Sequence, residues 1–290
     1  MNKKNDIIVK LKTLRPTFSK SQKLIADFIY EHYDQAAFMT AAKLGEKVGV
    51  SESTIVRFAT ELGYSGYPAF QHVLREIIKN KLTASQRMEI TSSKFADKDI
   101  LSTVLSSDID KLRQTLETVS VEDFSACIDT IMNAHKVYVI GSRTCFSIAN
   151  FLGFYLNLIS IDSRLITTNS ASETFEQIFT IGPDDVIIAI SYPRYSRRTL
   201  NAVKYAHNRG SKVIAITDSE ISPIVEYSNH KLLARSDMSN FVDSLVAPLS
   251  IINALIVALV MRNRDKVSDN FDALENIWEE YNVYEKHIEE

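Results

Sequence analysis

Three short apolar runs, Val137-Tyr-Val-Ile140, Val186-Ile-Ile-Ala-Ile190 and Val213-Ile-Ala-Ile-Thr217, constrain this chain more than any other feature. None alternates apolar with polar residues, so such strands are buried on both faces, as in parallel sheets covered by helices. A helical segment separates each run from the next, and weaker strands fit residues 164–167 and 231–234. The pattern predicts a doubly wound, flavodoxin-like α/β domain with a five-stranded parallel sheet, closed by helices over 243–262 and 270–289. Ligands of such sheets bind beyond the carboxyl ends of the strands, where loops meet helix N-termini.

Upstream the period is helical. Residues 40–63, TAAKLGEKVGVSESTIVRFATELG, read as a helix, a three-residue turn and a second helix. Thr40 caps the first helix, Leu44 and Val48 mark its buried face, and Gly49 stops it. Ser51 caps the second, Glu52 complements its dipole, and Ile55, Phe58, Ala59 and Leu62 form an apolar stripe. At about 100° per residue, Ser53, Arg57, Thr60 and Glu61 point away from that stripe, with Thr54 and Val56 on its flanks. Small hydroxyls and an arginine on an outward face suit the major groove of DNA, where the first turns of a recognition helix reach base edges. Ser51, Ser53, Thr54 and Arg57 are therefore candidate DNA contacts, and Tyr64, Tyr67 and Lys79 candidate phosphate contacts. Ser19 with Gln22 forms a capping-box signature ahead of a supporting helix to about residue 33, and another helix fits 68–81. The all-α head spans 1–82, a polar Ser/Thr-rich linker 83–98, and the α/β half 99–290, opening with amphipathic helices over 99–119 and 121–134.

The formal charge of −3 conceals an asymmetry. Residues 1–82 carry 13 Lys+Arg against 8 Asp+Glu, so +5, leaving 20 against 28, so −8, for the remainder. A basic head on an acidic body fits nucleic-acid binding by the head. Cys127 and Cys145 give neither a disulfide framework nor metal-ligand spacing, and no cofactor is implied. The N-terminus lacks the apolar core of a signal peptide, so the expected compartment is the cytoplasm. The apolar run 244–261 is broken by Pro248, Ser250 and Asn253, which fits a buried or interface helix rather than a membrane span.

At the strand ends, Gly141-Ser-Arg-Thr-Cys-Phe-Ser147 and Ser191-Tyr-Pro-Arg-Tyr-Ser-Arg-Arg-Thr199 are both hydroxyl-rich, basic and placed to open helices. Hydroxyls, backbone N–H groups and a helix dipole together bind anions, and arginines add bidentate bonds. Ser142, Arg143, Ser147, Ser191, Arg194, Ser196 and Arg197 are the candidate ligand residues, and Asp218 suits sugar hydroxyls better than phosphate.

The motifs SESTIVRFATELGYSGYPAFQ, VIGSRTCFSIA, VIIAISYPRYSRRT and VIAITDSEISPI, in this order, resemble the RpiR family of bacterial transcription regulators, whose C-terminal half is a sugar isomerase (SIS) domain. The resemblance implies a cytoplasmic homodimer or homotetramer that binds operator DNA and is tuned by a phosphorylated sugar or related metabolite. The family's first SIS loop commonly reads Gly-x-Gly-x-Ser; here Gly141 is kept, with Arg143 and Cys145 at the other two places. Its second commonly reads Ser-x-Ser-Gly-x-Thr; here Ser191 is kept, followed by Pro193, Arg194 and Ser196 at the remaining places. Both Gly-to-Arg exchanges add positive charge and obstruct close backbone approach. The rival reading is a sugar-phosphate isomerase, which needs a general base. Glu173 and Glu176 are the candidates, while His207 and His230 lie away from the anion loops.

Overall fold

The computed structural model describes residues 6–78, 83, 85, 87, 88, 91, 92, 99–236 and 242–284. The chain divides into two compact units, Met1–Asp99 with Met238–Asp243, and Ile100–Asp237 with Ser244–Glu290.

The first unit is helical: α1 (Asp6–Leu14), α2 (Lys20–Glu31), α3 (Tyr33–Ala36), α4 (Ala41–Val48), α5 (Glu52–Glu61) and α6 (Tyr67–Ile78). Its helix starts follow local chemistry. Ser19 Oγ accepts from the Gln22 N–H while the Gln22 side chain accepts from the Ser19 N–H, a reciprocal capping box. Thr40 and Ser51 cap α4 and α5 through the N–H groups of Lys43 and Thr54, and Gly49 leaves α4 in the left-handed conformation at φ +77°. The stripes meet in one core of Ile25, Ile29, Leu44, Ile55, Phe58, Leu62, Phe70 and Leu74. The Phe58 ring stands edge-on to Phe18 at 5.4 Å and to Phe70 at 6.2 Å. Gly45 lets α4 and α5 cross closely, because a Cβ there would lie 2.7 Å from the Val50 carbonyl oxygen. Most of the expected linker lies outside the described residues.

In the second unit, α7 (Ile100–Thr118) and α8 (Val121–Met132) lead into β1 (Val137–Gly141), α9 (Thr144–Leu158), β2 (Ser163–Leu165), α10 (Ala171–Ile178) and β3 (Val186–Ile190). The unit continues through α11 (Arg197–Asn208), β4 (Lys212–Thr217), β5 (His230–Leu233), α12 (Val246–Arg262) and α13 (Arg264–Glu280). All strands are parallel, in the order β2-β1-β3-β4-β5. This is the doubly wound sheet expected from the apolar runs. Val137, Val139, Ile188, Ile190 and Ile214 face one core with α8, α9 and α12, while Tyr138, Ile140, Ile187, Ala189 and Val213 face another with α10 and α11. β1 and β3 are buried along their whole length.

Several expected boundaries move. β2 is a three-residue edge strand, Ser163–Leu165, rather than 164–167; β5 runs His230–Leu233 rather than 231–234, and α12 begins at Val246 rather than 243. α13 begins at Arg264 rather than 270, and the one apolar residue of its polar first turns, Val267, is buried against the core. α12 buries Ala247, Ile251, Ile252, Leu255, Ile256 and Leu259 within its own unit. No single helix among the described residues is long and apolar enough to cross a membrane. Cys127 and Cys145 are both buried and no disulfide joins them.

Candidate functional site

The β1–β3 register builds the site. Gly141 pairs with Ile190, so Ser142 and Ser191 leave the sheet side by side. From β1 the chain turns through α9 toward β2, and from β3 through α11 toward β4, so the gap between these strands is the topological switch point. The N-termini of α9 and α11 open at this edge. Gly141 makes the close seat of α9 possible: a Cβ there would come within 2.5 Å of the Cys145 carbonyl oxygen, inside the first turn of α9. Ser196 caps α11 by accepting from the Thr199 N–H at 3.4 Å. Ser191 is buried, its N–H donating to the Ile216 carbonyl and its own carbonyl accepting from Thr217 Oγ1 at 2.6 Å.

Of the candidate residues, Ser142, Ser191 and Ser196 are fixed by the fold at this edge. Ser142 Oγ lies 2.9 Å from Thr199 Oγ1, joining the first loop to the start of α11. Arg143, Arg194 and Arg197 are exposed, and Arg143 adopts φ +58° immediately before α9. Ser147 is exposed one turn along α9, whose Cys145, Ile148 and Ala149 face the core.

The arginine that organises the rim is one the sequence reading passed over. Arg198 Nε and Nη2 donate to Ser142 Oγ at 3.3 and 3.0 Å, and Nη2 also donates to the Gly141 carbonyl at 2.8 Å. Its Nη1 donates to the Thr168 carbonyl and to Thr174 Oγ1. These five bonds account for all five guanidinium N–H groups. Every acceptor is neutral, and no carboxylate pairs with Arg198 among the described residues. Burial lowers its pKa from the ordinary arginine value without neutralising it. The result is a clamp that ties the end of β1, the loop after β2, α10 and α11 together around an uncompensated positive charge.

Under the second loop, buried Asp218 accepts a 2.8 Å bond from the Tyr195 hydroxyl. Thr217 Oγ1 lies 2.8 Å from Ser222 Oγ and donates to Ser191 O, locking β4 to β3. Tyr192 packs in the core with α9, only 5% exposed. The two candidate bases serve other ends. The Glu173 carboxylate accepts from Thr168 Oγ1 and Glu176 is exposed on α10. His207 and His230 sit at the end of α11 and the start of β5, the opposite edge of the sheet.

On α5, Ser53 and Arg57 are exposed, Thr54 is half-buried, and the hydroxyls of Ser51, Ser53 and Thr54 form a small network, with Ser51 Oγ 2.9 Å from Ser53 Oγ and 2.8 Å from Thr54 Oγ1. Tyr67 requires a correction. It is buried, and its hydroxyl donates to the carbonyls of Met39 at 2.8 Å and Ala36 at 3.3 Å, so it braces α6 against the turn after α3 and has no face for phosphate. Burial pushes its pKa up to about 12. Tyr64 is half-buried and edge-on to Phe70 at 5.3 Å. Lys79 lies outside the described residues.

Comparison with known proteins agrees with this geometry. Residues 6–81 match the helix-turn-helix domain of the rpiR family, and residues 130–258 match the SIS domain. The chain joins an RpiR-family helix-turn-helix domain to a SIS domain. An HTH-type transcriptional regulator of Clostridium perfringens is 28% identical over 217 residues, 74% of this chain and 76% of the relative. One from Haemophilus influenzae is 22% identical over 283 residues, 91% and 93% of the two chains. Among solved structures, the sugar isomerase domain of the RpiR transcription factor from Sphaerobacter thermophilus is 27% identical, with TM-score 0.59, over 62% of this chain and 99% of that one. Vibrio vulnificus NanR complexed with ManNAc-6P shares the fold at 20% identity and TM-score 0.58, over 93% and 97% of the two chains. An RpiR-type regulator with a SIS domain accounts for both units.

Proposed function

We propose that residues 1–82 bind operator DNA through the outward face of α5, with Ser51, Ser53, Thr54 and Arg57 as the reading set and Tyr64 beside it. Residues 99–290 bind an anionic metabolite, a phosphorylated sugar or sugar acid, at the rim formed by Ser142, Arg143, Ser191, Arg194, Ser196 and Arg197, with Ser147 one turn away. Residues 83–98 connect the two. The observation that carries this reading is the pairing of Gly141 with Ile190, which sets two hydroxyl-rich, basic loops and two helix N-termini around one crevice. The NanR complex with ManNAc-6P supports a phosphosugar as the class of effector. The protein acts in the cytoplasm as a homodimer or homotetramer, and exposed apolar residues on α7 (Leu101, Leu105, Leu116) and α12 (Val257, Met261) support self-association. It is not an enzyme: Glu173 is engaged by Thr168, and the histidines lie at the far edge of the sheet.

An effector moves a regulator between DNA-competent and DNA-incompetent states only through unequal affinity for them, and a coupling of about 1–3 kcal/mol changes DNA affinity roughly 5- to 150-fold. The test is to select DNA sites with the purified protein, then titrate the best site with and without hexose 6-phosphates and sugar acids. A shift in that range with no isomerised product by NMR is the expected result. DNA affinity indifferent to every such compound, or turnover of one of them, overturns the proposal.

A further inference from the structure

Two side-chain oxygens beneath the rim are buried without a hydrogen-bond partner among the described residues: the Tyr192 hydroxyl and Ser219 Oγ. Tyr192 follows Ser191 at the end of β3, and Ser219 follows Thr217-Asp218 at the end of β4, so the two flank the same strand pair on its ligand side. The Tyr192 hydroxyl lies within electrostatic reach of Asp218, Tyr195 and the Cys145 thiol in the first turn of α9. A hydroxyl buried and unbonded costs about 1–3 kcal/mol, and a core position with no use for it takes phenylalanine instead.

Two kinds of chemistry meet at this crevice. Arg143, Arg194 and Arg197, with the N-termini of α9 and α11, favour an anionic group. Beneath the second loop, the Asp218 carboxylate repels a second anion, while Tyr192 and Ser219 offer hydroxyls that donate or accept. We propose that Tyr192 and Ser219, beside Asp218 and Tyr195, form a hydroxyl-recognition subsite that selects the carbon-borne hydroxyls of a polyol or sugar chain, the anionic end of which lies at the arginine-bearing loops. This rests on the anion-binding reading of the rim and adds what lies at its other end. Burial, with Asp218 close by, holds the Tyr192 pKa well above its ordinary value, so the phenol stays protonated and able to donate.

Tyr192→Phe and Ser219→Ala in the full chain test the proposal, by calorimetry with inorganic phosphate, glucose 6-phosphate and ManNAc-6P and by thermal melting without ligand. The expected result is a ligand-free melting temperature equal to or above wild type, unchanged affinity for inorganic phosphate, and a loss of about 10- to 100-fold for whichever hexose phosphate wild type binds. Equal affinity of Tyr192→Phe for that hexose phosphate overturns the proposal alone, and points to a buried water as the partner of the phenol. A parallel loss of inorganic phosphate affinity also overturns it, because Tyr192 then only supports the loop. Wild type that binds phosphate but neither sugar phosphate removes the hydroxyl subsite and leaves the anion rim standing. Wild type that binds none of the three removes both.

Discussion

Gly45→Ala sets two effects of opposite sign against each other. Alanine improves helix propensity in α4 by up to about 1 kcal/mol. The new Cβ, however, would lie 2.7 Å from the Val50 carbonyl oxygen and 3.4 Å from the Glu52 N–H nitrogen. An ordinary contact needs about 3.4 Å, so the turn must retreat by about 0.7 Å, and overpacking of this kind costs about 1–3 kcal/mol. No rotamer change relieves it, because the obstructing atom is backbone in a turn held by the Val50 N–H to Gly45 carbonyl bond of 2.8 Å. The net expectation is a loss of up to about 2 kcal/mol from the head. DNA affinity falls further, roughly tenfold or more, because α5 moves relative to α4. The single tryptophan, Trp278, belongs to α13 of the other unit, so its fluorescence does not report on the head. Hydrogen exchange of the α4 and α5 amides does. Unchanged or greater protection together with wild-type DNA affinity would refute the claim that this close crossing is rigid.

Arg57→Ala should weaken binding to a selected site by about 1–3 kcal/mol and relax its sequence preference, with head stability unchanged, as read by fluorescence anisotropy. Tyr67→Phe should cost the head about 0.5–1.5 kcal/mol through its lost bonds to Met39 and Ala36, yet leave DNA affinity intact. Its alkaline behaviour adds a check of sign. A phenol at about 12 when folded, against 10.0 unfolded, contributes stability that is whole below pH 10 and lost as pH rises toward 12. Urea unfolding followed by a probe within the head should show the decline in wild type and a smaller one in Tyr67→Phe, since Tyr192 and Cys127, also held above their ordinary values, belong to the other unit. Arg198→Met should destabilise the α/β unit by about 2–4 kcal/mol and abolish the effector response while effector-free DNA affinity stays near wild type, measured by urea unfolding and by titration.

Local chemistry is what the sequence displayed most plainly. The Ser19–Gln22 box, the Ser51 cap and the apolar strands depend on residues a few positions apart, so spacing alone located them. The meeting of Ser142 with Ser191 was also legible, because parallel strands of equal length bring their ends together. Two side chains were not. Tyr67 stands beside a turn, which suggested exposure, but it heads the buried row Tyr67, Phe70 and Leu74 at i, i+3 and i+7. Arg198 is chemically indistinguishable from Arg194 and Arg197; Arg194 lies in the loop before α11, and only helix phase separates Arg198 from Arg197. It lies four residues before Ala202, on the same side as the buried Thr199, Val203 and Ala206 row, while Arg197 points outward. Hydroxyls left unbonded in the folded chain, such as that of Tyr192, leave no mark in residue order at all.

The saturated guanidinium of Arg198 has a kinetic meaning. With all five N–H groups engaged it has no bond to offer an arriving molecule, yet its charge persists at any physiological pH, since arginine does not titrate there. Such a charge acts through space rather than by contact. Its reach is set by the ionic strength, about 8 Å under physiological salt. It therefore hastens capture of an anion more than it delays escape, and raising salt slows uptake at the crevice while the residence time of a molecule already bound stays nearly constant.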